Sequence, residues 1–187
     1  MEPQFFRVEQ RAMVDWGDYG HILQHGMGHV LPRRDGLMIL LRTGPFVPPI
    51  TFPGWPSFDA RGSGVVVVDA VRIALEGSGL TGLTFQPVLK GRIVWLPWHE
   101  WDLKAERPAL RALGGEPENY VMEEEHSYEA AEAAGDLWEL MPKAADRIDP
   151  VNTDFFCVQL TAMLLCPETA KGWLEKHFSA YVSFRRV

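Results

Sequence analysis

Apolar residues come in short bursts along this chain, and glycine and proline divide the bursts into elements. From Gly36 the run LMILLRT predicts a short strand. The segment after it, PFVPPITFPGWP, holds five prolines between Pro45 and Pro56, which removes backbone donors and rules out a central strand or helix. It reads as an ordered, extended loop packed through Phe46, Phe52 and Trp55. Val65–Val68 is a burst of β-branched residues and predicts a buried strand. Asp69 then stands where an N-cap would, ahead of a helix from Ala70 to Glu76 with apolar residues at 71, 74 and 75. Gly77 and Gly79 are suited to end that helix. Leu83, Phe85 and Val88 alternate as in a strand with one face buried, and Arg92–Trp95 predicts the next strand. Residues 1–30 show no clear period.

The glycines around this unit resemble a phosphate-binding loop only in number. Such loops place glycine between strand and helix, so that the helix N-terminus meets the phosphate. Here Gly62 and Gly64 precede the strand, Gly77, Gly79 and Gly82 follow the helix, and none lies between Val68 and Ala70. They are turn and cap residues.

The same pattern returns at the C-terminus. Residues 164–187, LLCPETAKGWLEKHFSAYVSFRRV, align without gaps to 65–88, VVVVDAVRIALEGSGLTGLTFQPV, at a constant offset of 99. Leu75, Glu76, Phe85 and Val88 recur as Leu174, Glu175, Phe184 and Val187. Asp69, Arg72 and Leu83 recur in kind as Glu168, Lys171 and Val182. The chain is expected to use one strand–helix–strand unit twice, through shared ancestry or through similar local physics. The fold expected is a single α+β domain over 1–187, with further strands packed on the two units.

Composition narrows the class. With 187 residues, 47% hydrophobic and 23% charged, the chain can bury a core without staples. Two cysteines, Cys157 and Cys166, give no disulfide framework and no C-x-x-C zinc ribbon. Both sit in apolar contexts that favour an inert thiol. The opening MEPQFFRVEQRAMVDW is not a signal peptide, and no apolar run nears the ~20 residues that cross a bilayer, so the cytoplasm is the expected compartment. A net charge of −7 argues against a nucleic-acid partner. That charge is concentrated. Residues 116–142 hold nine acids (Glu116, Glu118, Glu123, Glu124, Glu125, Glu129, Glu132, Asp136 and Glu139) and no Lys or Arg. Ser127 can cap a short helix that Gly135 ends, and DLWELMP reads as a strand. The segment is either a solvated face or a surface shaped for a basic partner.

Two clusters offer chemistry. HILQHGMGH spaces His21, His25 and His29 at zinc-ligand intervals for a helix, but Gly20, Gly26 and Gly28 disfavour one. Without H-E-x-x-H it reads as turn-rich, with exposed histidines and no metal. WLPWHEWDLK gathers Trp95, Trp98 and Trp101 around His99, Glu100 and Asp102. On an extended segment His99 and Glu100 would point to opposite faces, so packing is the expected role. There is no G-x-S-x-G elbow. No catalytic residue and no cofactor is expected.

VVVVDAVRIALEGSGLTGLTFQPV, the DLWELM segment and the closing YVSFRRV resemble the recurring segment of immunity proteins of bacterial polymorphic-toxin systems. The similarity is to the double-CXXCG-motif group of myxobacteria and a related group, which often carry a second copy of the unit near the C-terminus. It covers about a third of the chain and carries no catalytic residues. Both C-x-x-C-G motifs are absent here, and with them any zinc site of that group. The resemblance implies a protein that binds a cognate toxin and neutralises it by occlusion. The candidate interface is Glu123, Glu124 and Glu125, together with Trp98 and Trp101. The alternative is a small enzyme or ligand-binding domain built on the Trp95–Asp102 cluster. Oligomeric state is not legible.

Overall fold

One strand–helix–strand unit is used twice, and each copy is completed by a strand from elsewhere in the chain. The structure, a computed structural model, describes residues 4–28, 31, 33–53, 62–109, 117–146, 152–158 and 163–187. In the first unit, β4 (Val66–Val68), α2 (Asp69–Glu76) and β5 (Leu83–Pro87) follow β1 (Phe5–Gln10), α1 (Asp18–His25), β2 (Ile39–Gly44) and β3 (Ile50–Thr51). Next come β6 (Leu89–Trp95), α3 (Pro117–Glu123), α4 (Tyr128–Ala133), β7 (Leu137–Ala145) and β8 (Phe156–Val158). The second unit closes the chain as β9 (Leu165–Pro167), α5 (Glu168–Phe178) and β10 (Val182–Arg186). It is a mixed α+β fold.

The main sheet runs β10-β1-β9-β8-β7-β4-β3, with β5 also paired to β7. Strands β4 and β5 are both antiparallel to β7, and β9 and β10 are both antiparallel to β1. The registers correspond. Trp138 on β7 faces Val67 and Pro87, while Phe6 on β1 faces Cys166 and Arg186, each partner displaced by the repeat offset. Leu140 N donates to Val65 O at 2.9 Å, and Val8 N donates to Leu164 O at 2.9 Å. The helices correspond too: Val71 and Leu75 are buried on α2 as Ala170 and Leu174 are on α5. Arg72 pairs with Asp69 and Glu76 and lies 4.7 Å from the Trp138 ring; Lys171 pairs with Glu168 and Glu175 and lies 4.8 Å from the Phe6 ring. Equivalent residues of both units share one core, including Leu75 with Leu174 and Val65 with Leu164.

Two details differ from the sequence reading. Asp69 is the first residue of α2 and not its cap; Val68 holds the cap position with no side-chain bond, and the Asp69 carboxylate accepts from Arg72 Nε at 2.8 Å. Phe85 and Phe184 are half-buried at the rim of the shared core, not fully enclosed. Fully buried phenylalanines cost about 3–5 kcal/mol on truncation, so each of these, changed to alanine, is expected to cost about 2 kcal/mol. Equal losses in a denaturant titration would support structural equivalence, and a loss at one site alone would count against it.

The remaining elements form a second layer. Strands β2 and β6 pair in parallel, and α1, α3 and α4 pack on them. Residues 1–28 thus contain a strand and a helix that periodicity alone does not reveal. Helix α1 accommodates Gly20 because a Cβ there would sit 2.8 Å from Val14 Cγ2, and it ends at Gly26, whose φ is +81°. Only one of the three glycines therefore lies inside the helix. The proline-rich segment forms the sheet's edge strand β3 at Ile50–Thr51, between Pro49 and Pro53. Phe46 and Phe52 pack as expected, and Trp55 lies outside the described residues.

Candidate functional site

The acidic segment is held against the edge of β6 by one side-chain and one backbone hydrogen bond to Ile93. Ile93 N donates to His126 Nδ1 at 3.1 Å, and Ser127 N donates to Ile93 O at 2.7 Å. Ser127 caps α4 as expected, its Oγ accepting from Ala130 N at 3.1 Å. The nearby cations Arg92 and Lys90 do not neutralise carboxylates. Arg92 donates to Met122 O and Val121 O, and Lys90 donates to Ala131 O, at the C-terminal turns of α3 and α4. Cations there complement the helix dipoles and bind carbonyls that lack intrahelical donors. Val121, Ala130 and Ala134 face inward.

The carboxylates are left outward. Glu123, Glu124, Glu125, Glu129, Glu132 and Asp136 are all exposed, and among the described residues none of them is in an ion pair. Large apolar groups are exposed on the same segment and its supporting strand: Tyr128 at 82%, Met122 at 46% and, at the end of β6, Trp95 at 50%. The Tyr128 ring meets the His126 ring edge-on at 4.7 Å. An exposed tyrosine and methionine on the same segment as these acids have the composition of a protein-binding patch.

Three expectations from the sequence need correction. Glu139 does not belong to the charged surface: it is fully buried, bound by both Arg33 Nη atoms at 2.6 Å. Trp98 is fully buried with Leu23 and Leu96 and meets Phe46 edge-on at 5.7 Å, so it cannot touch a partner. Trp101 is half-buried, 6.2 Å from the Trp16 ring. Among the described residues the exposed aromatics are Trp95 and Tyr128, and sequence reasoning missed them as contact residues. Tyr128 had a signal: with Ser127 as cap and Ala130 inward, the helical period turns residues 128, 129 and 132 outward. Glu116 lies outside the described residues.

The clusters considered for chemistry are arranged as follows. Residues Trp98–Glu100 form a 3-10 turn, not an extended segment. His99 stacks on Phe46 at 5.1 Å, and its Nε2 lies 3.9 Å from Glu100 Oε1, beyond hydrogen-bond reach. Its Nδ1 is buried without a hydrogen-bond partner among the described residues, beside an open depression of about 440 Å³ lined also by Phe46, Val68 and Ala133. His25 is not an exposed histidine. It is buried in α1, its Nδ1 accepts from Phe52 N at 3.2 Å, and burial, with neighbouring His21 and Arg42, pushes its pKa down to about 3. His29 lies outside the described residues, and no metal-binding group of three His, Cys, Asp or Glu occurs among those described. Burial pushes the Cys166 thiol up to about 12 and raises Cys157 as well, and both are free.

A second feature is a cleft of about 580 Å³ where the two repeat units meet the N-terminal end of α1. Arg7, Glu9 and Arg185 from β1 and β10 line it together with Asp18 and His21.

Fold and surface together define a mixed α+β protein carrying an acidic, aromatic-bearing ridge. No family model matches the chain, and no curated protein or solved structure matches it. No helix among the described residues is long and apolar enough to cross a membrane.

Proposed function

We propose that the protein works by binding: its acidic ridge covers a basic surface on another protein, as an immunity protein covers a toxin. The observation that carries this reading is the set of exposed carboxylates from Glu123 to Asp136, none engaged by a cation of the described chain, with Tyr128 among them and Met122 alongside. Carboxylates in such an array steer a basic partner, and a tyrosine that is rigid and amphipathic serves as an anchor once docked. The resemblance of both repeat units to polymorphic-toxin immunity proteins supports the same reading. On this reading the protein acts in the bacterial cytoplasm, with the toxin encoded beside it as partner and with no chemistry of its own.

The test is association with that neighbouring gene product. Glu123→Lys, Glu124→Lys and Glu125→Lys in one chain change only exposed side chains, so the melting temperature is expected to hold. The association rate is expected to fall about tenfold at low salt. The deficit should shrink as ionic strength rises, because exposed charges are screened over about 8–10 Å. Tyr128→Ala is expected to act on dissociation instead. A triple variant that associates at the wild-type rate, or a rate indifferent to salt, would remove the ridge from the interface.

One observation favours the alternative of a ligand-binding domain: the unpartnered Nδ1 of His99 beside its depression. A ligand seated there would perturb His99 and Phe46, leaving the ridge untouched.

A further inference from the structure

The correspondence between the repeat units shows what one of them lacks. On β7, Glu139 faces Val66 and Gln86; on β1 the equivalent residue is Arg7, facing Leu165 and Arg185. In the first unit this position is closed: Arg33 reaches it from the turn before β2 and forms a bidentate pair with the Glu139 carboxylate. In the second unit the charge is reversed, and the position lines the 580 Å³ cleft. The side chains of Arg7 and Arg185 are 36% and 66% exposed.

A single carboxylate serves both guanidiniums. Glu9 Oε1 lies 3.4 Å from Arg7 Nε and accepts from Arg185 Nη2. The two terminal nitrogens of Arg7 have no partner among the described residues. A planar guanidinium with its fork free is shaped to receive a carboxylate through two parallel bonds. The opposite charge is also present. Asp18, at the start of α1, lines the same cleft, so the two arginines are balanced by two acids, Glu9 and Asp18. That balance disfavours a polyanion such as a nucleotide. Val65, Met163 and Leu164 give the cleft an apolar wall.

We propose that this cleft binds an α-carboxylate attached to an apolar side chain, with Arg7 and Arg185 receiving the carboxylate. The source is a free amino acid or the C-terminus of a peptide; in the first case Asp18 receives the ammonium group. The proposal does not depend on the acidic ridge or on a toxin.

Calorimetric or NMR titration with N-acetylphenylalanine, its amide and free phenylalanine tests it. The acid is expected to saturate the cleft, and the amide to bind at least about tenfold more weakly, the difference a charge-assisted pair makes. Arg7→Gln should lose about tenfold in affinity for the acid. Arg185→Gln, at the more exposed site, should weaken binding with an unchanged melting temperature. Tighter binding of free phenylalanine, abolished by Asp18→Asn, identifies an amino-acid site; tighter binding of the acetylated form identifies a peptide C-terminus. The proposal is overturned if the amide binds as well as the acid, if Arg185→Gln binds like wild type, or if no probe saturates.

Discussion

Glu139→Ala is expected to be the most damaging single substitution outside the apolar core, lowering stability by about 3–5 kcal/mol. The carboxylate is fully buried on the central strand β7, and Arg33 grips it through two bonds of 2.6 Å. Arg33 Nη1 also donates to Gly36 O at 3.2 Å, tying the turn before β2 to the sheet. Removing the carboxylate takes two charge-assisted bonds from a largely buried guanidinium, and breaking a buried pair by removing one partner costs more than the attraction between the two. The prediction therefore has a second part. Replacing the pair together, Arg33→Met with Glu139→Leu, should restore most of the loss, because neither member of the pair is then left buried without the other. Urea titrations of the two proteins decide it. A double variant no more stable than Glu139→Ala would mean that the pair does more than neutralise itself.

How much of this was legible depends on how local each feature is. Strands β4 and β9, helices α2 and α5, and strands β5 and β10 lay open in the sequence, since each unit's signals fall within 24 residues. The strand completing each unit did not. Phe6 and Val8 on β1 stand where Trp138 and Leu140 stand on β7, and an alternating pair of apolar residues is too common to identify a partner strand. The parallel pairing of β2 with β6 is equally non-local. Glu139 was hidden by its neighbours: an acid in an acidic run looks solvated. The hint was that β7 is apolar on both faces, with Leu137 and Met141 alternating against Trp138 and Leu140, as befits a central strand. Trp98 was misplaced because three tryptophans in seven residues look like a patch, whereas the 3-10 turn sends Trp98 inward and the strand end leaves Trp95 outward.

Acid is expected to unfold the protein partly through His25. Its ring is buried against Phe52, 6.1 Å between centroids, and Nδ1 accepts the Phe52 N–H, a bond that requires an unprotonated nitrogen. His21 lies 5.1 Å away, ring to ring, and Arg42 donates to the backbone carbonyls of Gln24 and His25. Burial brings Arg42 down only to about 9, so it remains charged at neutral and acidic pH and opposes a second cation beside it. The His25 pKa is thus near 3 in the folded chain against 6.5 when unfolded. Between those values the unfolded state binds more protons, so stability present above pH 6.5 is lost as pH falls toward 3. The loss from this group should reach about 2 kcal/mol at pH 5 and about 3 kcal/mol at pH 4. Carboxylates add their own acid dependence, so the measurement is a difference. His25→Gln offers an acceptor to Phe52 N but has no proton to take up. Its stability at pH 7.5 should be lower than that of wild type by about 1–2 kcal/mol, from imperfect packing. Its acid slope should be shallower by about 2 kcal/mol between pH 7.5 and 5, so the two curves converge or cross. Parallel curves would show that His25 is accommodated as a cation, with α1 opening locally to water and the sheet intact.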